Sequence, residues 1–150
     1  MPLWNRSDYI RLVEETYFGN VARADIPAVL DCFTPDARVV IYHGDRDPRR
    51  YRAAASGEGE HLRAWYAHLT GNYTPRFTEF HHYVDVEAQR CAATFLVTLT
   101  PRTGSPLGTH GVLRLRNCNF FDCLDGRIAA MTVYYANPAA ADAVPTGYPS

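Results

Sequence analysis

The second half of the chain is a succession of four strand-length segments, and this succession limits the possible folds more than any other feature. The segments are about Arg76–Glu87, Arg90–Thr100, Thr109–Asp122 and Arg127–Tyr135. The dipeptide Asp125-Gly126 between the last two is typical of a tight hairpin turn. The pattern therefore predicts a four-stranded antiparallel meander.

Helical spacing dominates the first third of the chain. Ser7 is the predicted N-cap of a helix that runs to about Asn20, because apolar side chains recur there with helical period. Asp25 is the expected N-cap of a second, short helix with Pro27 in its first turn. A third helix is predicted over about Glu60 to Thr70, with Trp65 and Tyr66 on its apolar side.

Between the second and third helices we expect a turn, a strand and a long loop. The turn is predicted at Thr34–Ala37 and the strand at Arg38–His43. The segment Gly44–Gly59 is charged and irregular, which is typical of a solvated loop. A flap over the mouth of a pocket is the alternative, because long loops in compact domains are often functional.

The order of elements is then helix, helix, strand, helix and meander, which indicates an α+β fold with helices on one face of a long sheet. We expect residues 1–150 to form one domain with a core of about residues 7–138 and an irregular tail from Asn137.

The composition excludes several classes of function. All 15 basic residues are Arg, so Schiff-base chemistry, pyridoxal phosphate and P-loops are excluded. The net charge of -1 argues against a nucleic-acid partner. No apolar run has the length of a signal peptide or a membrane span, and four scattered cysteines without CxxC spacing are typical of reduced thiols. We therefore expect a cytoplasmic protein with no membrane partner, and the Arg- and Ala-rich composition suggests a GC-rich bacterial genome.

Three strings stand out within this order of elements: residues 17–26, YFGNVARADI, residues 32–37, CFTPDA, and residues 125–128, DGRI. Together with the order of elements they resemble the nuclear transport factor 2-like superfamily, which includes SnoaL-like, ketosteroid-isomerase-like and scytalone-dehydratase-like proteins. The resemblance implies a cone-shaped fold in which three helices pack on a curved, mostly antiparallel sheet around an internal apolar pocket. It also implies a homodimer through the outer face of the sheet. Members of the superfamily include isomerases, cyclases, dehydratases, epoxide hydrolases and proteins that only bind, so the resemblance does not name a reaction.

His82 is the candidate catalytic residue. Alternation along the strand places His82 inward with Phe80 and Val84, and His81 outward, provided that no bulge intervenes. An imidazole in a pocket can serve as general acid or base, whereas the alternative is a hydrogen-bonded core histidine. The string around His82 resembles the place where scytalone-dehydratase-like members carry an active-site His.

Asn117 and Asn119 are candidate substrate-binding residues. The same alternation places both amides inside the predicted cone, and buried amides are costly unless they are hydrogen-bonded. In the families that the chain resembles, a catalytic carboxylic acid lies close to the position of Asn119. An amide can donate to an oxyanion but cannot shuttle a proton. A satisfied internal pair of amides is the alternative.

Tyr17 and Tyr42 complete the candidate substrate-binding set. Tyr17 precedes Asp25 by the spacing at which ketosteroid isomerases place their oxyanion-hole Tyr, although an ordinary core position is the alternative. Near Tyr42 those enzymes carry a carboxylate base, and this chain has none there, which argues against steroid isomerisation. His43 shares the face of Ile41 and is a further candidate base.

The leading hypothesis is an enzyme that carries out cofactor-independent proton transfer on a small, apolar, oxygenated molecule. The reaction would be a dehydration, an isomerisation or a cyclisation. No metal or cofactor is expected, because the six His residues do not form a metal-binding motif and no nucleotide motif is present. A non-catalytic module for ligand binding or dimerisation is the alternative.

Overall fold

The computed structural model describes residues 4–44, 46–108 and 111–136. Its helical segments are α1 (Arg6–Arg11), a π-helix (Leu12–Phe18), α2 (Gly19–Ala22), α3 (Ile26–Leu30) and α4 (Leu62–Asn72). Its strands are β1 (Phe33–His43), β2 (Arg49–Arg52), β3 (Glu60–His61), β4 (Tyr73–Asp85), β5 (Arg90–Pro101), β6 (Leu113–Leu124) and β7 (Arg127–Tyr135).

The seven strands form one sheet in the order β3-β2-β1-β7-β6-β5-β4. The pairs β1–β7 and β2–β3 are parallel, and the others are antiparallel. The segments α1, π and α2 run without interruption, so the described residues contain the three helices that were predicted. The predicted α+β class and the meander from β4 to β7 are confirmed.

The first helix begins earlier than the sequence predicts, so the assignment of Ser7 as its N-cap is wrong. The Asn5 side chain accepts a hydrogen bond from the backbone N of Asp8 at 3.1 Å. The Asp8 carboxylate accepts one from the Asn5 backbone at 2.8 Å. This reciprocal capping box satisfies two backbone donors, which a serine inside the first turn does not do.

The π-helix changes which side chains of the first helix face the core. Its wider turn brings neighbouring residues to the same side, and Leu12, Val13, Tyr17 and Phe18 are all buried. Ile10, near the end of α1, is only half-buried. Since π-helical segments are frequently found at functional sites, this segment is of interest for the chemistry of the protein.

The second helix and its cap agree with the prediction, whereas the turn that follows does not. Asp25 accepts a hydrogen bond from the Ala28 backbone at 3.2 Å, and Pro27 lies in the first turn. Residues 34–37, predicted as a turn, belong to β1, which begins at Phe33. The pairing of β1 with β7 shifts register between Phe33 and Arg38, and this irregularity accommodates the proline of the TPDA string.

The predicted loop Gly44–Gly59 contains a strand. β2 pairs antiparallel with β1, and Tyr51 in its middle is buried. Asp45 lies outside the described residues. Part of this segment is therefore a strand near one edge of the sheet. The sequence prediction missed the strand because most of its residues are charged.

The boundaries of the remaining elements differ from the prediction by a few residues. α4 begins after His61, whose ring nitrogen accepts from the Arg63 backbone at 3.1 Å. β4 begins at Tyr73 rather than Arg76, and β6 begins at Leu113. Thr109, His110 and the predicted irregular tail from Asn137 lie outside the described residues.

The hairpin between β6 and β7 turns at the predicted dipeptide. Asp125 and Gly126 have φ angles of 50° and 82°, both in the left-handed region. A Cβ on Gly126 would lie 2.3 Å from Cζ2 of Trp4, so this turn also needs a residue without a side chain. The partly buried ring of Trp4 thus packs against both this turn and the hydrophobic core.

Among the described residues, no helix is both long and apolar enough to cross a membrane.

Candidate ligand pocket

A pocket lies between the first helix, α4 and the inner face of the sheet. Its lining is mainly aromatic and aliphatic, as expected for a cavity that takes a small molecule. The lining residues are Tyr17, Phe18, Val21, Trp65, Tyr66, Leu69, Phe77, Phe95, Val97, Leu99, Asn117, Asn119, Met131, Val133 and Tyr135.

The pocket is small in this structure. Its volume is about 50 Å³. An apolar cavity that holds a benzene molecule has roughly 150 Å³, whereas a single water needs roughly 10–15 Å³. The pocket therefore has room for a few waters, and a ring-sized ligand has to displace part of the lining.

Two tyrosines form the first polar group of the pocket. The hydroxyl oxygens of Tyr17, from the π-helix, and Tyr66, from α4, lie 2.6 Å apart. One hydroxyl donates to the other, which leaves the second hydroxyl hydrogen able to reach a ligand. Burial raises the pKa of both side chains well above the ordinary value, and the Tyr17 charge adds to this effect on Tyr66. Both tyrosines are therefore neutral donors near pH 7 and not bases.

Two asparagines of β6 form the second polar group, and their situations differ. The side-chain carbonyl of Asn117 accepts a hydrogen bond from the Ala136 backbone at 3.3 Å. The amide of Asn119 donates to the sulfur of Met131 at 3.5 Å, a weak bond. Its carbonyl oxygen is buried and has no hydrogen-bond partner among the described residues. Asn119, 2% exposed, thus presents an unused acceptor inside the fold.

Carboxylate and imidazole side chains are absent from the described part of the pocket lining, which contains no Asp, Glu or His. In residues 4–44, 46–108 and 111–136, no three His, Cys, Asp or Glu side chains are grouped as metal ligands would be. The polar groups that the pocket does offer are hydroxyl donors and amide groups. Such groups stabilise negative charge on an oxygen atom of a ligand.

His82 lies behind the wall of this pocket. Its Nε2 is 2.5 Å from Oε2 of Glu14 in the π-helix, and its side chain is 7% exposed. Its ring is stacked on Phe80 at a centroid distance of 5.7 Å. Phe80 in turn contacts Phe18, which lines the pocket. The β4–β5 pairing shifts register between Thr78 and His81, although the prediction had assumed that no bulge intervenes. Phe80, His82 and Val84 nevertheless remain the less exposed positions of this part of β4.

The model of the SnoaL-like domain matches residues 15–131 of the chain. The chain belongs to this family. Its match begins inside the π-helix and includes both polar groups of the pocket. None of the curated proteins matches this SnoaL-like chain.

Solved structures resemble this SnoaL-like protein over most of its length. A candidate polyketide cyclase from Xanthomonas campestris pv. campestris is 22% identical, with a TM-score of 0.66 over 89% of this chain and 93% of the other. A candidate isomerase from Bacillus subtilis is 14% identical, with a TM-score of 0.69 over 87% of each chain. The epoxide hydrolase/cyclase-like enzyme SalBIII, which is described with a role in pyran ring formation in polyether salinomycin, is 19% identical to this chain. Its TM-score is 0.66, over 88% of this chain and 93% of the other. At these identities the likeness shows a shared fold.

Of the five predicted site residues, the SnoaL-like fold brings three together in the pocket: Tyr17, Asn117 and Asn119. Tyr42 faces the other side of the sheet, because Ile41 and His43 take the inner positions of β1. Its ring is stacked on Tyr134 at 5.1 Å. The roles expected of His82 and Tyr42 stay predictions, and neither side chain lines the described pocket.

Sequence reasoning missed the partners of two candidate residues. Tyr66 was noted only as part of the apolar side of α4, and Glu14 was not singled out. Each partner is distant in sequence from its contact, by 49 residues for Tyr17–Tyr66 and 68 for Glu14–His82. A single sequence carries no local signal for such pairs.

Proposed function

We propose that this protein binds a small, mostly apolar molecule that carries an oxygen atom, and that the oxygen is held by the Tyr17–Tyr66 pair and Asn119. The observation that carries this proposal is the buried carbonyl oxygen of Asn119, which has no hydrogen-bond partner among the described residues and lies in a mainly apolar pocket. A buried acceptor without a partner costs about 1–3 kcal/mol, so a ligand that donates to it recovers this cost.

The tyrosine pair makes the proposed site complementary to a ligand hydroxyl, which can both donate and accept a hydrogen bond. A ligand hydroxyl would donate to Asn119 and accept from whichever tyrosine has its hydrogen free. Because the tyrosines remain neutral, they would also stabilise negative charge that develops on that oxygen. Charge of this kind builds up in isomerisations, dehydrations and cyclisations, which need no cofactor for this step.

The test is binding of phenol, measured by isothermal titration calorimetry, with toluene as the probe that lacks the oxygen. We expect phenol to bind more tightly than toluene, and Tyr17→Phe and Asn119→Leu each to weaken phenol about tenfold. Tyr42→Phe is the matched control on the outer face of the sheet, and it should leave the affinity unchanged. Equal affinities for phenol and toluene, or no loss in either pocket variant, would contradict the proposal.

The Glu14–His82 pair supports a second candidate function, proton-transfer catalysis with His82 as general acid or base. A carboxylate that holds an imidazole through a 2.5 Å bond orients it, as in many acid–base sites. For His82 to reach a ligand, the ring of Phe80 has to move aside, which fits a pocket that must enlarge to accept one. Motion of Phe80 and Phe18 would join the imidazole to the cavity.

The exchange of the α-protons of cyclohexanone in deuterium oxide, followed by NMR, tests this catalysis without knowledge of the substrate. We expect exchange above the buffer rate, and a loss of about 100-fold or more in His82→Ala. His81→Ala, at the exposed neighbouring position, is the matched control and should keep the activity. Exchange at the buffer rate, or equal rates in both variants, would leave ligand binding as the function.

We also propose that two copies associate through the outer face of the sheet. That face exposes Tyr83, Phe120 and Tyr134, with 64%, 50% and 45% of their surfaces accessible. Light scattering at micromolar concentration should give the mass of a dimer, and Phe120→Asp should give that of a monomer. A monomeric wild-type protein would contradict this association.

A further inference from the structure

Arg49 in β2 lies at the junction of two cavities. It lines an open groove of about 560 Å³ at the sheet edge, together with Tyr51 and Gly59. Its guanidinium carbon is 5.4 Å from the ring centroid of Trp65 and 5.9 Å from that of Tyr135. Both rings line the inner pocket. The side chain of Arg49 is therefore packed between the groove and the pocket.

The sizes of the two cavities show why this junction matters. The inner pocket, at about 50 Å³, is too small for a ring, whereas the groove beside it is about ten times larger. If the rings of Trp65 and Tyr135 under Arg49 were displaced, the inner pocket and the groove would become one connected cavity. A ligand that extends from the pocket into the groove would pass the guanidinium.

The chemistry of Arg49 indicates what this part of the ligand should be. A guanidinium that stacks on aromatic rings keeps the N–H groups at its edge, and these match a carboxylate in geometry and charge. Burial raises the pKa of Tyr51 and the charge of Arg49 opposes this shift, so the guanidinium also lies near that hydroxyl. Arg50, Glu58 and Glu60 also line the groove and contribute charges of both signs on its outer side. The described pocket lining has no charge of its own, so Arg49 supplies the positive charge at its mouth.

We infer that Arg49 binds the anionic end of a ligand whose apolar part occupies the inner pocket, so that the ligand is a small apolar carboxylate. This inference rests on the proposed function, because the pocket has to bind the remainder of the molecule. It adds a charged subsite and makes Arg49 a specificity-determining residue.

The test compares two probes that differ only in charge, 4-hydroxybenzoate and 4-hydroxybenzamide, by isothermal titration calorimetry. We expect the wild-type protein to bind the carboxylate at least tenfold more tightly than the amide. In Arg49→Gln the two affinities should become equal through loss of carboxylate binding. Arg63→Gln removes an exposed arginine of α4 and should keep the preference, which separates the local effect of Arg49 from net charge.

Trp65 provides an independent readout of the same site. The chain has two tryptophans, and in Trp4→Phe the remaining fluorescence comes from Trp65. Because Arg49 lies over this ring, carboxylate binding should change the emission of Trp65 in this variant. The amide should produce a smaller change at the same concentration.

The outcomes separate this inference from the proposed function. If phenol binds but the carboxylate binds no better than the amide, or if Arg49→Gln keeps the preference, the role of Arg49 is overturned and the pocket stands. If phenol, carboxylate and amide all fail to bind, both proposals are overturned. Circular dichroism checks the folding of Arg49→Gln. Should that variant not fold, the affinities of wild-type protein for both probes in 0.5 M NaCl decide. Salt should weaken the binding of the carboxylate and not that of the amide.

Discussion

The hydroxyl oxygens of Tyr17 and Tyr66 meet at 2.6 Å inside the fold, although 49 residues separate them in sequence. Tyr17 comes from the π-helix and Tyr66 from the middle of α4, so the contact joins the two long helices above the sheet. Tyr17 also packs edge-on against Phe33 and Phe121, which fixes its ring. The pair is thus both a structural link and the donor group of the pocket.

The first prediction is that the two hydroxyls are energetically coupled. Tyr17→Phe or Tyr66→Phe alone leaves one buried hydroxyl without its partner, and each should lower the free energy of unfolding by about 1–3 kcal/mol. The double variant removes both hydroxyls, so its loss should be smaller than the sum of the single losses. Urea denaturation of the four proteins measures the coupling. Additive losses would show that the hydroxyls act independently.

The second prediction concerns alkaline pH. Burial raises the pKa of Tyr17 and Tyr66 in the folded state above the ordinary value of 10.0. The folded protein then keeps protons that the unfolded chain loses above about pH 10, so stability is full below this pH and falls as pH rises. Between pH 10 and 11, urea denaturation should show a shallower fall for the double Phe variant than for the wild type. Equal slopes would mean that the pair does not contribute.

Much of the fold could be predicted from the sequence because its signals are local. The cap at Asp25, the turn at Asp125-Gly126 and the alternation along the strands depend on residues close in sequence, and all are present. The errors have a physical cause as well. Asn5 rather than Ser7 caps the first helix, because Asn5 and Asp8 form reciprocal hydrogen bonds. The charged segment β2 is a strand because it pairs with β1.

The site was less predictable because its geometry depends on distant contacts. Strand alternation sufficed to place Asn117 and Asn119 in the pocket. It could not show that the carbonyl of Asn117 is bonded to the Ala136 backbone, whereas that of Asn119 has no partner in the part of the chain that the structure describes. Nor could it show that Glu14 holds His82 behind Phe80, since that contact requires the position of the π-helix.

The third prediction is that Cys32 reacts slowly with alkylating reagents. Burial, followed by the charge of Asp31, raises the pKa of its thiol to about 11. At pH 8 about one thiol in a thousand is then ionised, and only the thiolate reacts. Peptide mass spectrometry after iodoacetamide treatment should show modification of the half-buried Cys118 before Cys32. Early modification of Cys32 in the folded protein would contradict the expected order.

The fourth prediction separates backbone strain from a steric clash at two glycines. Gly126 and Gly104 have nearly the same φ, 82° and 84°. A Cβ on Gly126 would meet the ring of Trp4 at 2.3 Å, whereas a Cβ on Gly104 would meet nothing within 4 Å. Gly104→Ala should cost about 1 kcal/mol of stability from strain alone, and Gly126→Ala clearly more. Thermal denaturation measures both, and equal losses would show that Trp4 yields without cost.

The last prediction uses the two asparagines as a matched pair. Asn119→Leu removes a buried carbonyl that has no hydrogen-bond partner among the described residues, and it replaces the amide by a side chain of similar size. We expect it to raise the free energy of unfolding by about 1 kcal/mol, because the cost of an unsatisfied buried group disappears. Asn117→Leu instead removes the bond from the Ala136 backbone N–H to the amide carbonyl, and this N–H keeps only its bond to the Arg116 carbonyl at 3.2 Å. The loss of this one hydrogen bond should lower stability by about 0.5–1.5 kcal/mol.

Ligand affinity should change in the opposite direction to stability at Asn119. Phenol binding should weaken about tenfold in Asn119→Leu, although this variant is the more stable protein. Urea denaturation and calorimetry on the same samples give both quantities. A gain in stability together with a loss of affinity is the behaviour of a group retained for binding. If Asn119→Leu were destabilised as Asn117→Leu is, the carbonyl of Asn119 would have a structural role, and the argument for an oxygen-binding site would lose its main support.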